Sequence, residues 1–167
     1  KFVKQFEGTN TVYGTGAIDV DRAGDVIIAG TFIDTLKLGS YKLISYNKTY
    51  DVFISKINPN GNVVWARGYR GRSVDWGRSV TVDERDNIYL TGYYRDSITF
   101  DNVVLKKNIS GYDMFMVKLD PKANVIWAKA GGPDNRYIRG ISIVVKDENL
   151  YVQGIAFNTG PLYFDSG

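Results

Sequence analysis

The sequence predicts an all-β protein made of a repeated unit of about 62 residues. Two observations support this: segments recur at a constant offset, and within them apolar residues alternate with polar ones, as on a half-buried strand. Residues 51–67 and 113–129 share Asp, Phe, Lys, Pro, Asn, Val, Trp and Ala at an offset of 62, from position 51 to position 113. A second block ends in Gly30, Gly92 and Gly154 at the same spacing. No run has the apolar spacing of a helix, so each unit is predicted to consist of short antiparallel strands.

The middle unit shows its strands most clearly, because turn residues interrupt the apolar pattern about every eight to twelve positions. Pro121 presets the backbone of the turn before the last strand, and Asn and Gly tolerate the left-handed conformation of such turns. The predicted elements are strand A at residues 79–82, strand B at 88–93, a small hairpin of 98–100 and 103–105, strand C at 114–119 and strand D at 125–130. Four antiparallel strands per unit, repeated along the chain, are typical of β-propeller blades.

The chain also resembles a known family through its motifs. Strand C carries Asp-Xaa-Phe-Xaa-Xaa-Lys followed by Ile or Leu, and strand D carries Val-Val/Ile-Trp-Ala. Segments 75–83 and 87–92 read Asp-Trp-Gly-Arg-Ser-Val-Thr-Val-Asp and Asn-Ile-Tyr-Leu-Thr-Gly. These motifs are similar to the SBBP repeat, a β-propeller repeat of bacterial exported and surface proteins. The resemblance spans essentially the whole chain and implies a propeller fold and a secreted or cell-surface location. It implies little about activity, because propellers host many functions. The third unit departs from the pattern, since Val145 stands where the others have Asp21 and Asp83.

Residues 1–167 are interpreted as one partial propeller. In this division, residues 1–16 are the last strand and loop of a preceding blade, 17–78 are repeat 1, 79–140 are repeat 2, and 141–167 start repeat 3. Dividing 167 residues by 62 gives about 2.7 units, whereas closed propellers have about four to eight blades. An open arc would leave strand edges and apolar faces in water. We therefore expect either an excerpt of a larger exported protein or copies that associate into a ring.

The composition excludes several chemistries. The chain has neither histidine nor cysteine, which rules out Ser-His-Asp and Cys-His nucleophile pairs, the usual zinc sites and disulfides. The formal net charge of +3 comes from charges that alternate in sign along the chain, so no nucleic-acid partner is expected. Apolar stretches of about five residues are too short to span a membrane. No cofactor or metal is predicted. Acidic residues around Asp21 faintly resemble a calcium loop, but the turn between strands A and B explains them better.

Candidate binding residues lie in the connection from strand D to strand A of the next unit, which in propellers is at the mouth of the central channel. Aromatic residues recur there at near-equivalent positions beside Arg, Asp and Asn, and such groups can hold a sugar ring or a peptide side chain. The predicted ligand-binding residues are Tyr13, Arg72, Asp75, Trp76, Arg136 and Tyr137. The alternative is that these aromatic residues fill the space between blades, as Trp65 and Trp127 are predicted to do from strand D.

The function predicted from these residues is that of a non-enzymatic, extracellular interaction or scaffold module. Its partner would be a protein or a glycan at the cell surface, and the rest of a larger propeller or further copies of the chain would complete the ring. The alternative is a polysaccharide-acting enzyme, a hydrolase or lyase, that uses channel-facing acids such as Asp75 and Asp134.

Overall fold

The fold is taken from a computed structural model that describes residues 7–8, 12–107, 111–131 and 137–157, with side chains at residue 7 and, within these ranges, from residue 17 onward. Fifteen strands and one short 3-10 turn make up these residues. They are β1 (Glu7–Gly8), β2 (Val12–Val20), β3 (Val26–Ile33), β4 (Thr35–Leu38), β5 (Tyr41–Ile44), the 3-10 turn (Tyr46–Lys48), β6 (Tyr50–Ile57), β7 (Val63–Gly71), β8 (Asp75–Val82), β9 (Ile88–Arg95), β10 (Ser97–Phe100), β11 (Val103–Lys106), β12 (Tyr112–Leu119), β13 (Val125–Gly131), β14 (Tyr137–Lys146) and β15 (Asn149–Phe157).

The strands form successive antiparallel blades, which confirms the predicted all-β propeller fold. Strands β2, β3, β6 and β7 are neighbours in that order in the first blade, and β8, β9, β12 and β13 repeat the pattern in the second. Strands β14 and β15 pair as the first two strands of a third unit. Among the described strands, β15 pairs with none but β14, and the sheets do not close into a ring.

Each small hairpin extends the preceding blade, a pairing that we call a seam. At the first seam, Leu36 and Lys37 of β4 pair with Gly8 and Glu7 of β1. At the second, β10 pairs with β7 through Ile98↔Gly71 and Thr99↔Arg70. The backbones approach so closely there that a Cβ on Gly71 would lie 1.6 Å from the carbonyl oxygen of Ser97. The outer edge of strand D is thus paired by the hairpin of the next unit.

A shared apolar core joins the first blade to the second. The ring of Tyr69 on β7 lies 4.8 Å from Phe100 on β10, and Phe100 lies 5.0 Å from Phe115 on β12. Trp65 is buried, and its indole N–H donates to the backbone oxygen of Pro121 in the second blade at 3.3 Å. The prediction that Trp65 packs blade against blade is therefore confirmed. Its counterpart Trp127 is half-buried, with its ring edge-on to Tyr89 at 6.3 Å.

The turns between strands A and B have an acid as their organising residue in the first two blades. Asp21 Oδ1 accepts the backbone N–H groups of Ala23 and Asp25 at 3.0 and 2.9 Å, and its Oδ2 lies 2.6 Å from Lys56 Nζ. Asp83 accepts the corresponding backbone N–H groups in the second blade. The turn role predicted for this acid is confirmed, and its oxygens are occupied by protein donors.

The third A–B turn is shorter, and this explains Val145. Only Asp147 and Glu148 separate the paired residues Lys146 and Asn149, and both have left-handed backbone with φ of 50° and 63°. Such a two-residue hairpin turn does not form the loop whose N–H groups an acid would accept. The acid is therefore not needed at position 145.

Candidate functional site

The candidate site lies at the end of the blades where strand D leads into the next strand A, which we call the D–A end. Arg72 is exposed in the connection between β7 and β8, as predicted. Asp75 and Trp76 are not in that connection, because β8 begins at Asp75 and pairs with β9 from its first residue. The predicted start of strand A at residue 79 was wrong, since a bulge between Gly77 and Ser79 lets the pairing continue.

The structure describes the three other predicted residues to different extents. Tyr137 is the first residue of β14 and is 39% exposed, and a Cβ on Gly111 would press against its ring. Tyr13 lies in β2, but its side chain is outside the described residues, as is the whole of Arg136. The roles of Tyr13 and Arg136 stay predictions.

Trp76 is packed between blades. Its ring stacks on Tyr50 of the first blade, with centroids 5.0 Å apart and an interplanar angle of 25°. On its own blade, Tyr93 lies 6.1 Å away at 23°. The Arg78 guanidinium lies 5.4 Å from the Trp76 ring and donates to the Tyr93 hydroxyl at 2.9 Å. These contacts favour the interpretation of Trp76 as a filler between blades over that of an open sugar platform.

A second arginine repeats this arrangement between the second and third units. The Arg139 guanidinium of β14 lies 5.2 Å from Tyr93, 4.8 Å from Tyr112 and 5.4 Å from Phe157. Arginine over aromatic faces is attractive because the ring face is electron-rich. The sequence analysis missed Arg78 and Arg139, although the spacing aromatic-x-Arg at Trp76 and at Tyr137 contains the signal.

Asp75 does not reach the surface, which corrects its predicted role as a channel-facing acid. Its side chain is wholly buried, and neither carboxyl oxygen accepts a hydrogen bond among the described residues. Burial, reinforced by the nearby carboxyl of Asp51, raises the pKa of Asp75 to about 9. The backbone amides of Gly71 and Arg95 oppose this pKa shift without reaching hydrogen-bond geometry. Asp75 is therefore uncharged at neutral pH and does not contact a ligand in this conformation.

Asp51 has a structural role. Its Oδ2 accepts the backbone N–H of Tyr46 at 2.6 Å and so holds the 3-10 turn against the start of strand C. Burial raises the pKa of Asp51 to about 7, while the Tyr46 hydrogen bond and the charge of Arg70 oppose the shift. The enzymatic alternative named Asp75 and Asp134 as its acids. Asp75 is buried, and Asp134 lies outside the described residues.

An open groove of about 820 Å³ follows the second seam, and we call it the seam groove. It lies between the end of β7 and the β10–β11 hairpin, with the 3-10 turn beside it. Its lining residues are Tyr46, Gly68, Tyr69, Arg70, Gly71, Arg72, Asp96, Ser97, Thr99, Asp101, Val104, Lys106 and Lys107. Four of these are basic and two are acidic. The sequence analysis singled out Arg72, but the groove depends on pairing between two units, which no local motif reveals.

Comparison with known proteins identifies the repeat. Residues 68–93, from the end of β7 through most of β9, match the family model of SBBP, a β-propeller repeat. This stretch of the chain is similar to the SBBP repeat. The match confirms the resemblance read from the motifs, and it includes Arg70, Arg72 and Trp76 within the matched stretch. The strand arrangement and this match both indicate a β-propeller repeat.

The chain is also similar to a much longer viral protein. It is 26% identical over 162 residues to the uncharacterized WD repeat-containing protein L264 of Acanthamoeba polyphaga mimivirus. The alignment covers 88% of this chain and 12% of that protein, so the chain spans about an eighth of the relative's length. In the described part of the chain, no helix is long and apolar enough to cross a membrane.

Proposed function

We propose that this chain is a non-enzymatic binding module that takes a protein or carbohydrate partner at the D–A end, with the seam groove as its central contact surface. The supporting observation is a concave, charged site next to Arg72. Arg70, Arg72 and Lys106 are exposed, and none of them lies within ion-pair distance of a carboxylate among the described residues. Their charges are therefore available to a ligand.

The groove is also built on paired strands. Its floor is the pairing of β10 with β7, and Gly71 allows the backbones to meet without an intervening side chain. Below the seam, the buried rings of Tyr69 and Phe100 hold the two blades together. A site formed in advance by the scaffold loses less conformational entropy on binding. This is the arrangement expected of a repeat that presents side chains to a partner.

The contact surface would extend toward the channel through Tyr137 and Phe157. The predicted residues Tyr13 and Arg136 would add to it. Tyr137 and Phe157 are exposed at the same end of the third unit. An exported or cell-surface location, and a partner at that surface, form part of this proposal and rest on the kind of protein in which such repeats occur.

The test compares two exposed arginines at opposite ends of the blades. Arg72 lies at the seam groove, whereas Arg85 lies in an A–B turn and pairs with Glu148, both 78–79% exposed. The 167-residue chain would be assayed against immobilised neutral and acidic oligosaccharides and acidic and basic peptides. We expect R72A to weaken the binding of the retained probes about tenfold, and R85A to change it less than twofold.

Melting curves would establish that both variants are folded. If R72A binds every retained probe as tightly as the wild type, or if R85A is the variant that loses binding, the D–A end is not the binding surface.

A further inference from the structure

Resting on the proposed function, we infer that the occupant of the seam groove is a carboxylated polysaccharide. The groove brings together an excess of positive charge, an exposed aromatic ring and several hydroxyl and carboxylate oxygens. These groups match the carboxylates, ring faces and hydroxyls of an acidic sugar chain.

The positive charges of Arg70, Lys106 and Lys107 are not required by the fold. The strand pairings place Glu7 at the first seam where Arg70 stands at the second. By the 62-residue offset, Ile44 and Ser45 stand where the second hairpin has Lys106 and Lys107. The first seam thus folds with an acid and neutral residues at these positions. A basic groove at the second seam therefore needs an explanation other than blade packing.

The arginines suit a carboxylate in particular. A guanidinium presents N–H donors in a planar fork that can bind both oxygens of a carboxylate at once. Arg70 and Arg72 both line the groove and are exposed, and Lys106 adds a third charge from the hairpin. Among the exposed lining residues, Asp96 and Asp101 leave a net positive charge of one, with basic and acidic groups interspersed, so the site fits a ligand whose carboxylates are spaced apart.

The remaining lining favours a sugar over an acidic peptide. Tyr46 is 41% exposed, and a tyrosine ring can offer a flat apolar face to a pyranose ring. Ser97 and Thr99 can exchange hydrogen bonds with sugar hydroxyls, and the Asp96 carboxylate can accept them. Val104 is the one aliphatic side chain among the described lining residues, whereas peptide sites are anchored by buried apolar side chains. The volume of about 820 Å³ lies within the range of about 300–1,000 Å³ of small-molecule sites.

The experiment uses a matched pair of sugars. Titration calorimetry of the 167-residue chain would compare hexagalacturonate with its fully methyl-esterified form, which keeps the rings and removes the charge. Poly-L-glutamate would serve as a peptide with the same carboxylates. We expect hexagalacturonate to bind at least tenfold more tightly than either probe, with an affinity that falls as salt is added.

Variants assign the binding to the groove. We expect R70E, which places the residue of the first seam at the second, to abolish measurable hexagalacturonate binding, and K106A and Y46A each to weaken it about fivefold. R85A is the control at the opposite end and should change the affinity less than twofold. If the thermal midpoints of K106A and Y46A are unchanged, these variants are folded. Their loss of affinity then assigns binding to the groove even if R70E does not fold.

Three outcomes would overturn the inference. Equal binding of the esterified hexamer would show that the groove recognises neutral sugar, and it would leave the proposed function intact. Poly-L-glutamate binding as tightly, with Y46A unaffected, would identify an acidic peptide as the ligand. Absence of hexagalacturonate binding would exclude the polysaccharide. The proposed function itself fails if R72A leaves the binding of the probe panel unchanged or if R85A is the variant that loses it.

Discussion

Individual side chains at the D–A end divide into those that hold the blades and those that face solvent. Trp76 stacks on Tyr50 of the first blade, and Arg78 packs on Trp76 and Tyr93 within the second. Arg72, the first residue after β7, is exposed. The sequence could place Arg72 and Trp76 near the channel mouth, because they lie in or next to one connection between strands, but it did not single out Arg78. It could not separate them, since the partner of Trp76 is Tyr50, 26 positions earlier in the chain.

Asp75 allows a prediction about pH. The folded protein keeps this carboxyl protonated up to a pKa of about 9, against an ordinary value of 3.8, so the folded state binds a proton that the unfolded chain has released. The free energy of unfolding of the wild type should therefore fall between about pH 4 and pH 9, by up to about 1.4 kcal/mol per pH unit from this group. D75N lacks the group, so the free energy of unfolding of D75N relative to that of the wild type should rise with pH.

Urea denaturation of both proteins at pH 5, 7 and 9 measures this difference. Asp51 titrates in both proteins, so its contribution cancels in the comparison. A stability difference that stays constant across this range would mean that Asp75 is ionised in the folded state.

At the scale of strands and turns, most of the architecture could be predicted from the 62-residue period and the alternation of apolar residues. Strands B, C and D of the second blade were predicted within two residues of β9, β12 and β13. Strand A was predicted four residues too short, because the pattern of alternation breaks at the bulge near Gly77. The seam was missed altogether, since pairing between a hairpin and the preceding blade leaves no local pattern.

The seam yields a prediction that compares two glycines on one strand. A Cβ on Gly71 would meet the Ser97 carbonyl at 1.6 Å, whereas a Cβ on Gly68 would meet Phe32 at an ordinary 3.7 Å. We expect G71A to lower the free energy of unfolding by about 3 kcal/mol, because β10 must move away from β7. G68A should change it by less than about 0.5 kcal/mol. Chemical denaturation would measure both, and equal effects would show that the seam does not depend on close backbone contact.

For the molecule as a whole, the described blades are joined in series by several kinds of contact. Besides the seams and the shared core, Arg22 pairs with Asp86 at 3.0 Å and Arg85 with Glu148 at 2.6 Å, so each A–B turn contacts the next. The last described strand differs from the others. In β15, Tyr151, Ile155 and Phe157 are 61%, 47% and 47% exposed, and no described strand pairs with its outer edge.

This exposed edge predicts that the 167-residue polypeptide associates when purified alone. A strand with a free edge and exposed apolar side chains is a site for pairing between chains. Light scattering after size exclusion should show a discrete oligomer if copies complete a ring, or heterogeneous aggregates if the chain is an excerpt of a longer propeller. A single monomeric species that stays stable at high concentration would contradict the prediction.

The hairpin that extends the preceding blade also bears on how such a protein can be divided and enlarged. The 62-residue period defines a unit of sequence, but the sheet of the first blade also includes two short strands from the next period. A fragment cut to one period would separate a hairpin from the preceding strand D with which it pairs, or would separate its own strand D from the hairpin that follows. One of these two pairings is lost wherever the cut is made. Duplicating or shuffling these repeats should therefore succeed only when adjacent units are exchanged as neighbours, with their junctions left intact.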